Sequence, residues 1–180
     1  LPQQIPKLET RVMPKIDSIE LFRVSMPLVY PFRTAYGNDE VIESVLLKMN
    51  SGGSYGWGEG TPWQTPGYSP EFAGGAYVLL RDVIAPLLVG QEIDSGEQLQ
   101  QRLGHLKGNY FAKAAADMAW WDLHAKEQDK PLWQVLGGQQ DTVEVGADFG
   151  VMDTVSELLD TIAGAVEQGF KRVNLKYRPG

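Results

Sequence analysis

A chain of 180 residues is long enough for one large domain or for one and a half smaller ones. Its 23 acidic against 16 basic residues leave a net charge of −7, a field that repels phosphate backbones and anionic lipid, so neither nucleic acid nor a membrane surface is expected as a partner. There is no cysteine, which removes disulfide and thiolate chemistry, and the apolar runs fall well short of the roughly 18–20 residues of a membrane span.

Residues 1–12 are polar and proline-bearing with no apolar h-region, and they read as an upstream extension outside the fold rather than a signal peptide. The expected location is therefore cytoplasmic. From Lys15 to Met26, Ile16, Ile19, Leu21 and Val24 are interspersed with Asp17, Glu20 and Arg23, the pattern of a half-buried strand. A turn-rich loop is expected over Pro27–Asn38, a second strand over Val41–Met49, a tight turn at Asn50-Ser51-Gly52-Gly53 and a third strand over Ser54–Gly58. Together these make an antiparallel meander, followed by a second glycine- and proline-rich loop, Glu59–Pro70.

The period then becomes helical. Glu71–Leu88 is expected as a helix with Ser69-Pro70 as N-cap and first residue, and Ser95–Leu103 as a shorter one. Asn109–Gln128 is apolar on most sides, as a helix buried between layers must be, so Trp120 and Trp121 read as core. Leu132–Leu136 forms a last short helix stopped by Gly137-Gly138. His105 and His124 have no partner at ligand spacing and read as structural.

Beyond residue 138 the pattern is strand (Val143–Gly150), amphipathic helix (Thr154–Gln168, capped by Asp153 or Thr154) and strand (Arg172–Tyr177). That βαβ unit implies parallel pairing and a right-handed crossover. A parallel pair needs cover on both faces, so the chain looks truncated. By period two, Val173, Leu175 and Tyr177 share one face, while Asn174, Lys176 and Arg178 share the other. Likewise Val143, Val145, Ala147 and Phe149 oppose Glu144, Gly146, Asp148 and Gly150. Asp148 and Lys176 should sit on neighbouring strands at similar height, near the strand ends where barrel enzymes place their chemistry. Spacing alone leaves Lys176 open between a catalytic group and a structural partner of Asp148.

Three stretches carry a family resemblance. They are Ala112–Asp122 with Lys130–Gly138, then Gly56-Trp57-Gly58-Glu59-Gly60, and Gly169–Lys176. Over about residues 14–180 the chain resembles the enolase superfamily and, within it, the muconate-lactonizing subgroup. The resemblance implies an α+β capping domain, an antiparallel meander with a helical bundle, over 13–138. The first β-α-β of a modified TIM (β/α) barrel follows over 139–180. It implies abstraction of a proton alpha to a carboxylate, assisted by Mg²⁺ whose ligands are expected beyond residue 180, with none in this chain.

Lys176 matches the second lysine of the subgroup's Lys-x-Lys strand, an acid/base catalyst. Asn174 stands at the first position and is expected to support it by hydrogen bonding. The loop Pro31–Gly37 resembles the first lid loop of o-succinylbenzoate synthases that also racemise N-acylamino acids. Phe32 and Tyr36, with Trp63 and Tyr68 from the second loop, are expected to wall a small-molecule carboxylate substrate. Asp148 belongs either to that pocket or to an ion pair with Lys176.

The implied activity is o-succinylbenzoate synthase, a dehydration in menaquinone biosynthesis. N-acylamino acid racemase and dipeptide epimerase are the alternatives within the family, and a non-catalytic capping or assembly module is the alternative outside it. The remainder of the barrel is an expected partner, homo-oligomerisation is left open, and these residues alone are expected to be inactive.

Overall fold

The computed structural model describes residues 15–35 and 37–176. The expected extension at 1–12, and the readings that touch Tyr36, Tyr177 and Arg178, lie outside the described residues.

Strands β1 (Ser18–Arg33), β2 (Asn38–Ser51) and β3 (Ser54–Gly60) form an antiparallel sheet in the order β1-β2-β3. The β2–β3 turn uses Gly52 and Gly53 at φ +55° and +89°, the left-handed region that glycine enters without strain. The first loop departs from expectation. Instead of opening at Pro27, β1 continues to Arg33, with a register irregularity between Pro27 and Phe32, and Phe32 and Arg33 pair with Asp39 and Asn38. The Thr34 amide donates to the Gly37 carbonyl at 2.9 Å and closes the hairpin. Cross-strand pairing satisfies backbone groups that an open loop would leave to water.

The helices cover one face of this sheet. Helix α1 (Ala73–Leu79) passes through a π-helical turn, Leu80–Ile84, into α2 (Ala85–Leu88). Pro86 explains the irregular turn, because its ring crowds the carbonyl four residues back and it has no N–H to donate. The helix starts later than expected, with Phe72 rather than Ser69 at its N-cap. Ser69 Oγ accepts instead from the Glu71 amide at 3.1 Å. Helix α3 (Gly96–Leu103) is capped by Ser95, whose Oγ accepts from Gln98 N at 3.1 Å.

Helix α4 (Tyr110–Glu127) is the centre of the core. Alternate glycines of β3 lie flat against it. A Cβ built on Gly56 would stand 2.1 Å from the Ala119 carbonyl oxygen, one on Gly58 1.9 Å from that of Ala115, and one on Gly60 2.9 Å from that of Phe111. Two strand residues advance about 6.7 Å and four helical residues about 6 Å, so each second glycine meets each successive turn of the antiparallel helix. Around this contact Val45, Leu47, Met49, Leu80, Ile84, Leu88, Leu99, Leu103, Trp120 and Leu123 are fully buried. Trp120 Nε1 donates to the Ile93 carbonyl at 3.2 Å, and His124 stacks on the Trp120 ring at 4.6 Å. Trp121 is only half-buried, with its ring filling the space above Gly96.

Asn109, at φ +55°, makes no side-chain cap for α4. Glu71 does so from 39 residues upstream, its two carboxylate oxygens accepting from Tyr110 N at 2.6 Å and Phe111 N at 3.0 Å. The outer edge of β3 is closed by the same helix. Asp122 accepts from Trp57 N at 2.7 Å, and Lys126 Nζ donates to Asp122 at 2.7 Å and to the Tyr55 carbonyl at 3.2 Å.

After the short helix α5 (Leu132–Val135), β4 (Ala147–Phe149), α6 (Val155–Glu167) and β5 (Val173–Leu175) form the parallel βαβ unit. Thr154 caps α6, accepting from Glu157 N at 3.1 Å, while Glu157 accepts from Asp153 N at 3.2 Å. Both strands are shorter than expected, and Val143, Val145, Leu159, Val166 and Leu175 are exposed. Ladder hydrogen bonds reach only as far as both strands are in register, which shortens the pairing to three residues.

Two stability measurements test this packing. Gly58→Ala is expected to destabilise the protein by about 2–3 kcal/mol, seen as a melting temperature lowered by about 5–10 °C, because the atom in its way is backbone and cannot swing aside. Glu71→Ala should cost about 1 kcal/mol and accelerate hydrogen exchange at the Tyr110 and Phe111 amides, leaving the α3 amides unchanged.

Candidate active site

The register of β4 and β5 places Ala147 opposite Val173, Asp148 opposite Asn174, and Phe149 opposite Leu175. Alternation then brings Asp148, Asn174 and Lys176 onto one face. Asp148 uses both carboxylate oxygens. Oδ1 accepts from Asn174 Nδ2 at 2.8 Å, and Oδ2 accepts from Lys176 Nζ at 2.8 Å. The Lys176 amide donates to the Phe149 carbonyl at 3.3 Å, which holds the lysine just past the C-terminal end of its strand. Gly146, Asp148, Arg172 and Asn174 border a cleft of about 340 Å³.

The end of β1 crosses above this group. Val151 N donates to the Arg33 carbonyl at 3.1 Å, and the Arg33 guanidinium pairs with Asp153 at 2.9 Å. Gly150 permits the approach, since a Cβ there would lie 3.1 Å from the Arg33 carbonyl oxygen. Docked in this way, Phe32 sets its ring centroid 4.4 Å from Lys176 Nζ, within cation–π range. The unexpected extension of β1 is thus what carries Phe32 to the lysine.

Phe32, Asp148, Asn174 and Lys176 are therefore brought together. Trp63 and Tyr68 pair with each other, ring centroids 5.4 Å apart, within the second loop. That loop is tied to the sheet: Gln64 Nε2 donates to Glu43 at 2.9 Å, Ser44 Oγ to Thr61 Oγ1 at 3.1 Å, and Ala73 N to the Trp63 carbonyl at 3.1 Å. Tyr36 lies outside the described residues. Two contributors were not singled out in the sequence. Arg172 lies over Gly146, its Nε 2.7 Å from where a Cβ would be, and carrying the even-numbered face of β5 one step back would have found it. The pairing of Arg33 with Asp153 had no local signal, because it joins segments 120 residues apart.

The Lys176 ammonium holds the Asp148 carboxyl below the ordinary aspartate range. Burial opposes the shift, and the Asn174 amide reinforces it. The pairing of Arg33 with Asp153 likewise raises the guanidinium above its already high value. An ammonium between a carboxylate and an aromatic face can donate a proton, and as the free amine it can accept one. Asp148 is a single carboxylate with both oxygens engaged, and among the described residues no three His, Asp or Glu side chains gather to hold a metal. The described residues do not make a magnesium site. No helix among them is long and apolar enough to cross a membrane.

A depressed carboxyl fixes the sign of the pH dependence. The Asp148–Lys176 contact contributes fully above the ordinary aspartate value of 3.8 and is lost as pH falls through the lower value of the folded state. In an NMR titration the Asn174 side-chain amide should therefore report a midpoint below 3.8.

Comparison with known proteins places this geometry in a family. Residues 17–137 match the model described as mandelate racemase / muconate lactonizing enzyme, N-terminal domain. The N-succinylamino acid racemase of Thermus thermophilus is 37% identical over 92% of this chain and 45% of its own length. The o-succinylbenzoate synthase of Geobacillus stearothermophilus is 36% identical over 91% of this chain and 44% of its own. The solved structure of the L-Ala-D/L-Glu epimerase from Bacillus subtilis superposes with a TM-score of 0.80 at 32% identity, covering 90% of this chain and 45% of that one. The chain thus spans a little under half the length of the curated relatives it matches. With the meander, the α4 packing and the parallel β4–β5 pair all in place, it belongs to the mandelate racemase / muconate lactonizing enzyme family of the enolase superfamily.

Proposed function

We propose that the whole protein abstracts a proton alpha to the carboxylate of a small molecule, with Lys176 as an acid/base group. The boundary between capping domain and barrel start is placed near residue 138. The observation that carries this reading is the Lys176 ammonium at the end of the second parallel strand, beneath the Phe32 ring. In this role Lys176 as the amine takes the substrate proton, and as the ammonium it returns one. Phe32 excludes water above it, and Trp63 and Tyr68 supply a second apolar wall from the other loop. Asn174 supports the lysine through Asp148. Magnesium, as the family's cofactor, would stabilise the charge left on the substrate carboxylate. The described residues supply no set of ligands for it.

Among specific activities we favour o-succinylbenzoate synthase, with N-acylamino acid racemase and dipeptide epimerase as alternatives. Relatives named N-succinylamino acid racemase, o-succinylbenzoate synthase and L-Ala-D/L-Glu epimerase match the chain. The assay is made on the complete protein, against a cyclohexadiene carboxylate precursor, an N-succinylamino acid and a dipeptide. Lys176→Ala is expected to lower turnover by about 10²–10⁴-fold with an unchanged circular dichroism spectrum. Unchanged turnover would take Lys176 out of the mechanism, and inactivity of the parent protein on all three substrates would favour the non-catalytic module.

A further inference from the structure

The carboxylate beside Lys176 is more than a neighbour. Asp148 is opposite Asn174 in the ladder, so its backbone position is set by the strand register, and Asn174 Nδ2 fixes one oxygen so that the other meets Lys176 Nζ. Among the described residues, three charged side chains flank the lysine's strand end. On its own strand is Arg172, directed over Gly146. From β1 comes Arg33, already paired with Asp153 from the segment after β4. From β4 comes Asp148, which pairs with Lys176 at 2.8 Å. The opposite side of the ammonium is covered by Phe32, so about two-thirds of the Lys176 side chain is shielded from water.

We propose that Asp148 is a positioning residue that sets the aim of Lys176, with Asn174 orienting its carboxylate. This rests on the reading of Lys176 as the acid/base group. As the ammonium, Lys176 donates to Asp148 Oδ2, and to take a proton from substrate as the amine it must loosen that contact, so Asp148 governs where the nitrogen stands.

The test is made on the complete protein with Asp148→Asn, Asp148→Ser and Asn174→Ala, each checked for fold by circular dichroism. The first readout is independent of turnover: the rate at which an N-hydroxysuccinimide ester acylates Lys176, followed by peptide mass spectrometry at pH 8. Removing the carboxylate should speed this reaction about three- to ten-fold, with Lys113 and Lys126 unchanged and Asn174→Ala intermediate. The second readout is the split between kcat and KM: Asp148→Asn should lower kcat about three- to ten-fold with little change in KM. Equal acylation rates in parent and both Asp148 variants would overturn the proposal. Faster acylation in a protein with no turnover on any substrate would sustain the positioning role of Asp148 and discard the enzymatic reading instead.

Discussion

The contact between the glycine face of β3 and the backbone of α4 governs the rest of the structure. Three alternate glycines let the strand lie on three successive turns of the helix at a distance that any side chain would forbid. That approach is why alanines dominate the helix face at Ala112, Ala115, Ala116 and Ala119, all buried, and why the larger side chains of the core gather around it. Close packing is worth little atom by atom and a great deal when summed, and it tolerates no added methyl where the neighbour is backbone.

From that contact the positions of the two loops follow. Strand β3 runs directly into the second loop, and Glu71 at the far end of the loop returns to cap the helix on which β3 lies. The loop bearing Trp63 and Tyr68 is therefore held at both ends by α4. The first loop depends on the same sheet, because β1 and β2 stay paired out to Phe32 and Asp39. Its tip is then placed by contacts to the segment after β4, with Arg33 and Val151 bonded through the backbone. Of the ion pairs, Lys171–Glu144 lies on the surface, where such pairs contribute little. The contact between Lys176 and Asp148 joins two partly exposed side chains at the end of the second parallel strand, within the site rather than the core.

The elements most legible in the sequence were those whose signals are local. The cap at Thr154, the all-apolar α4 and the glycine turn of the meander each follow from a few adjacent residues. Where the sequence reading went astray, a distant partner had intervened. Pro27 reads as the start of a loop, but strand pairing carries β1 past it to Arg33. Ser69 reads as a helix cap, but Glu71 is drawn to α4 and the helix starts after it. The run Val143–Gly150 reads as one strand, but only Ala147–Phe149 finds a register partner.

Taken alone, the sequence determined the order of elements, the alternation that separates Asp148, Asn174 and Lys176 from Val173 and Leu175, and the small residues on the contact faces of β3 and α4. These follow from periods of two and 3.6, which are properties of neighbouring residues. Only the tertiary structure decided that Phe32 meets Lys176, that Arg33 meets Asp153, and that the Asp148 carboxylate is divided between Asn174 and Lys176. Those contacts join residues separated by 26 positions or more along the chain, and their geometry is set by strand register and docking, which no local pattern encodes.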